Sequence, residues 1–136
     1  MKLNQEYLKI LIINIENTLT PRPTLGEILK SMELEDINDD FLLHYEILRD
    51  YGFIEGIGNS YNIGLVQTND GVCWCDENIR LTAKGHEFAS ALNQPEVWSI
   101  LKEKFKENSI DTIFSTAKDI AKKIAAKKLE NLLGEI

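Results

Sequence analysis

The stretch from Asn38 to Gly56, NDDFLLHYEILRDYGFIEG, constrains the fold more than any other part of this chain. Asn38 is a good helix N-cap, and Asp39 and Asp40 place negative charge on the first turn, where the helix dipole favours it. Phe41, Tyr45, Leu48 and Tyr51 recur at helical spacing and predict one apolar stripe. Gly52 predicts the stop, because it takes the left-handed conformation at no steric cost. Phe53 and Ile54 then read as the start of a β-strand. A helix, a glycine stop and a short apolar strand is the passage from the third helix of a winged-helix domain into its wing.

The flanking sequence supplies the other elements. Residues 4–19 read as a first helix, with Tyr7, Leu8, Leu11, Ile12, Ile15 and Leu19 inward. Thr20-Pro21-Arg22-Pro23 breaks it. Thr24 and Glu27 form a capping box for a short second helix that buries Leu25, Ile28, Leu29 and Met32. After Gly56 the apolar period changes to two, in Tyr61-Ile63-Leu65 and again in Val72-Trp74. Thr68-Asn69-Asp70-Gly71 lies between these runs and predicts a hairpin turn. Ile79-Arg80-Leu81 reads as a third short strand. Thr82 caps a fourth helix with Phe88 and Leu92 inward. Pro95 opens a fifth helix carrying Val97, Trp98, Leu101 and Phe105. Asn108 or Ser109 caps a last helix of about 25 residues, on the order of 37 Å long. Its stripe is Ile113, Ala117, Ile120 and Ile124, extended by Leu129, Leu132 and Leu133.

The expected fold is therefore α+β, mostly α. It is a winged helix-turn-helix with a small β-hairpin wing over residues 1–94 and a C-terminal helical extension over 95–136. That extension either packs on the domain or joins two copies. No apolar run reaches the roughly 20 residues a membrane span needs. The opening MKLNQEYLK turns polar too soon for a signal peptide, so a cytoplasmic protein is expected.

Three segments carry a resemblance: HYEILRDYGFIEG at 44–56, RLTAKGHEFASAL at 80–92 and VWSILKEK at 97–104. Together they resemble a family of small phage and prophage proteins of unknown function. The resemblance implies a winged-helix fold and a phage or prophage origin. It supplies no catalytic residues.

The charge is unevenly spread. Residues 1–60 hold 5 Lys/Arg against 11 Asp/Glu, residues 61–94 hold 2 against 4, and residues 95–136 hold 8 against 7. A duplex-reading protein neutralises phosphates with Lys and Arg, and here the segment that would face DNA is the most acidic. The leading expectation is a non-enzymatic protein that binds a host or phage protein with a basic surface. Its contact residues would be Glu35, Asp36, Asp39, Asp40, Glu46 and Asp50, and it could block a host nucleic-acid-binding or defence protein. The alternative is a DNA-binding transcriptional regulator, with Arg49 and wing residues such as Asn69 near DNA and two copies joined by the last helix.

Other chemistry is weakly signalled. Cys73, Cys75, His44 and His86 are the soft metal ligands, but Cys-x-Cys is shorter than the usual zinc spacing, so no metal is expected. His86 lacks a nucleophile motif around it, and packing or hydrogen bonding is the expected role of both histidines. Gly56-Ile57-Gly58 lacks the third glycine of a dinucleotide loop. The paired carboxylates sit in capping regions, where they are solvated, and no enzyme or cofactor is expected. Lys122, Lys123, Lys127 and Lys128 read as the solvated face of an amphipathic helix.

Overall fold

The computed structural model describes residues 1–135, with Asn59 by its backbone alone. It is α+β and mostly helical. Among the described residues there are six α-helices and two small antiparallel strand pairs.

Helix α1 spans Gln5–Glu16, α2 Leu25–Ser31 and α3 Asp39–Asp50. Their starts follow from their caps. Asn4, Thr24 and Asn38 each accept a backbone N–H from three residues on, and Thr24 with Glu27 completes the capping box. Helix α1 ends earlier than expected, at Glu16. Thr18 donates its hydroxyl to the Ile15 carbonyl and closes the turn. Leu19, expected on the buried face, therefore lies beyond the helix and is wholly exposed.

Helix α3 buries Phe41, His44, Tyr45 and Leu48, and Gly52 follows with φ +76°. Strand β1, Ile54–Gly56, pairs antiparallel with β4, Ile79–Leu81. Along the other edge of β4, Thr24 bridges Asn78, and the Ile79 N–H bonds to the Pro23 carbonyl. The segment between α1 and α2 thus runs beside β4. Between β1 and β4 lies a hairpin of β2, Leu65–Thr68, and β3, Gly71–Trp74.

The alternation Tyr61-Ile63-Leu65 is not that of one continuous strand. The chain turns through Ile63 at φ +50°, with Ile63 wholly buried, and β2 begins only at Leu65. The turn itself uses Asn69-Asp70, closed by Gly71 at φ +113°.

Helix α4, Ala83–Leu92, starts at its Thr82 cap. It lies so close to the chain entering β1 that a Cβ on Gly85 would clash with the Phe53 carbonyl oxygen. Helix α5 is Pro95–Lys104 and α6 is Ile110–Gly134, capped by Ser109. One core runs through all six helices. Phe53, Phe88 and Phe114 cluster with ring centroids 4.7 to 5.7 Å apart and tie the entry to β1, α4 and α6 together. Burial along α6 fades toward its end: Ile113 and Ala117 are buried, Ile120 and Ile124 half-buried, and Leu129, Leu132 and Leu133 exposed. Among the described residues, no helix is long and apolar enough to cross a membrane.

Candidate functional site

The face of α3 turned from the core carries the acidic residues. At 3.6 residues per turn, spacings of seven and four bring Asp39, Glu46 and Asp50 onto one stripe, opposite the buried Phe41, Tyr45 and Leu48. Leu43 sits in the same stripe, half-buried. Glu35 and Asp36 stand exposed on the turn before the helix, and Asp40 is exposed in its first turn.

The six carboxylates differ in what they already hold. Glu46 and Asp50 flank Arg49 at 3.2 and 3.3 Å. Asp36 accepts its neighbour Ile37 N–H at 2.8 Å and the indole N–H of Trp74 at 2.8 Å. Glu35, Asp39 and Asp40 have no ion pair among the described residues. Asp40 helps to keep the Tyr7 phenol protonated above its ordinary range, although burial of Tyr7 is the larger cause.

The Asp36–Trp74 bond was not foreseeable from the local pattern, because it joins residues 38 apart. Its effect is to lay the β2–β3 hairpin against the start of α3. Val72 lines a small cleft there with Ile37, Asn38, Asp39 and Leu42. The N-terminal end of α3 is therefore shared with the hairpin.

His44 links α3 to α1. Its Nε2 accepts the Asn4 backbone N–H at 2.9 Å and its Nδ1–H donates to the Asp40 carbonyl at 2.6 Å. A backbone N–H can only donate, so Nε2 carries the lone pair and the ring is the neutral Nδ1–H tautomer. Both ring nitrogens are engaged, and the Tyr7 ring lies 4.6 Å away. His86 is exposed on α4, and Cys73 and Cys75 are exposed thiols. Cys75 lies beside Glu77, with Sγ 3.6 Å from its carboxylate. Among the described residues, no group of three or more His, Cys, Asp or Glu side chains is placed to hold a metal ion.

The sequence pattern singles out Arg49 as a candidate DNA contact but not Arg22 or Arg80. Arg22, Arg49 and Arg80 come from three separate segments and line one cleft of about 550 Å³, together with Gly56, Gly58 and Tyr61. The available signal was that a chain with many lysines has only these three arginines, all before residue 81.

No curated protein and no solved structure matches the chain. A family model described as "Hypothetical protein (DUF2513)" matches residues 2–111, from the N-terminal segment through α5 to the first turn of α6. The chain belongs to the DUF2513 family.

Proposed function

We propose that this protein is a winged-helix module of phage or prophage type that acts without catalysis, by binding a basic protein surface through the acidic face of α3. The order α1, edge segment at Thr24, α2, α3, β1, hairpin, β4 supports the winged-helix reading. The observation that carries the functional reading is the stripe of Asp39, Glu46 and Asp50 along the solvent side of α3. In a duplex-reading domain that side would enter the major groove, between two phosphate backbones. Here it presents carboxylates, which repel a polyanion and speed encounter with a cationic surface. Hydrogen bonding of Asp36 to Trp74 adds rigidity, since the hairpin braces one end of the stripe.

The role of Asp36 in bracing the hairpin makes it a poor residue for testing the contact. Glu35→Gln, Asp39→Asn and Asp40→Asn together remove three charges that have no ion pair among the described residues. Partners captured from host lysate by wild type and by this triple variant should differ by the loss of basic proteins. Identical partner lists, or salt-sensitive duplex binding by the wild type at about 100 mM salt, would overturn the reading in favour of a DNA regulator.

A further inference from the structure

The three arginines meet on the outward side of the strands. Arg80 is the antiparallel partner of Glu55, and its Nε lies 2.7 Å from the carboxylate. On the other edge of β4, the Thr24–Asn78 bridge and the Ile79 N–H to Pro23 bond set the register. Beyond that isolated bridge the Arg22 carbonyl accepts from the Asn78 side-chain amide, and Arg22 lines the same cleft as Arg80. Pro23, Ile54, Ile79 and Leu81 are buried on the inward side, so alternation turns Arg22, Arg80 and Glu55 toward the cleft they all line.

Like charges gathered around one cleft repel. One carboxylate, Glu55, faces two guanidinium groups here, and Arg22 has no ion pair among the described residues. Such an arrangement gains from an added anion. Arginine pairs suit phosphate, because each planar guanidinium donates two parallel hydrogen bonds to its oxygens.

Arg49 contributes differently. Its side chain is only 13% exposed and is held between Glu46 and Asp50. Its guanidinium carbon lies 4.3 Å from the centre of the Tyr61 ring. Tyr61 itself is 69% exposed. The cleft thus offers an aromatic ring backed by a cation, beside a pair of under-neutralised arginines. Its volume falls within the range of about 300–1,000 Å³ common for small-molecule sites.

We propose that this cleft binds a nucleoside phosphate, with the phosphate between Arg22 and Arg80 and the base stacked on Tyr61. A single nucleotide fits better than a nucleic-acid strand. The α3 carboxylates next to Arg49 would repel phosphates that continue beyond the cleft. The cleft adjoins the α3 contact face through Arg49, but Arg22, Arg80 and Tyr61 lie outside that face, so either proposal can fail alone.

The test is calorimetric titration of the full chain with adenosine and guanosine mono- and triphosphates, with pyrophosphate as the probe that lacks a ring. Binding of a nucleotide in the micromolar to sub-millimolar range is expected. Arg22→Gln and Arg80→Gln should each weaken it by about tenfold or more. Tyr61→Ala should weaken nucleotide several-fold and leave pyrophosphate unchanged. Thermal unfolding of Arg22→Gln serves as the folding control, since exposed Arg22 has no ion pair among the described residues. Absence of binding at millimolar nucleotide overturns the proposal, as does undiminished affinity in a folded Arg22→Gln. Tighter binding of a short single-stranded oligonucleotide than of its mononucleotide also overturns it, and points to a strand.

Discussion

The Tyr45 hydroxyl, wholly inside the core, donates a 2.7 Å hydrogen bond to the carbonyl of Ile63, a residue with left-handed backbone at φ +50°. It joins α3 to the turn that leads into the β2–β3 hairpin. Left-handed isoleucine is strained, because its branched Cβ crowds the following carbonyl. The buried phenol and the full burial of the Ile63 side chain together hold that turn. Tyr45→Phe keeps the ring stacked on Phe41 and removes only the donor. The expected loss is about 1–3 kcal/mol, the cost of leaving a buried carbonyl unpaired. Urea unfolding measures it, and a loss below a few tenths of a kcal/mol would show that the bond does not hold the turn.

The same phenol sets an alkaline limit on stability. Burial raises the Tyr45 pKa above its ordinary 10.0, the charge of Glu77 adds to this, and Arg49 opposes it. Below that value the phenol is neutral in both folded and unfolded chains and contributes no pH dependence. Above it the unfolded chain releases the proton while the folded one retains it, so stability falls as pH rises. Unfolding midpoints measured from neutral pH to above pH 10 should decline in wild type and decline less steeply in Tyr45→Phe. Tyr7, whose pKa is also raised, retains a share of the slope in the variant.

His44 should show the Nδ1–H tautomer in nitrogen NMR of the folded protein, as its bonds to Asn4 and Asp40 require. His44→Ala opens a cavity between α1 and α3 and leaves the Asn4 N–H without its acceptor. A loss of about 2–4 kcal/mol is expected by denaturant titration. An Nε2–H signal would refute the assigned hydrogen bonds.

Asp36→Ala removes the acceptor of the Trp74 indole and should free the hairpin from α3. Amide exchange should quicken in β2 and β3, while the core helices keep their protection and global stability changes by under about 1 kcal/mol. Protection unchanged in the hairpin would mean that Val72 packing alone holds it in place.

The end of α6 has no core beneath it. Leu129, Leu132 and Leu133 are 56%, 61% and 58% exposed. Changing all three to Ser should alter stability by no more than about 0.5 kcal/mol in urea unfolding. A larger loss would show that they reach the core. Changing Ile113 or Phe114 to Ser should instead unfold the chain, because these side chains reach the shared core.

Local chemistry made much of the fold legible. The caps at Asn38, Thr24 and Thr82, the glycine stop at Gly52 and the proline start of α5 act within a few residues, so they can be read from the letters alone. Periodicity likewise placed Phe41, Tyr45 and Leu48 inward and so left Asp39, Glu46 and Asp50 on the outer stripe. Period two misread Tyr61 to Leu65, because a buried turn can expose and hide alternate residues as a strand does. Leu19 was misplaced because the hydroxyl bond that ends α1 competes with an apolar pattern that continues past it. The bracing of Asp36 by Trp74, the His44 bond to Asn4 and the meeting of Arg22, Arg49 and Arg80 depend on contacts between distant segments. Those contacts exist only once the apolar faces have packed and fixed the strand register. The amino-acid order thus determined the helices and their capped ends, and the tertiary structure decided which polar side chains meet, because burial of the core brings distant backbones together.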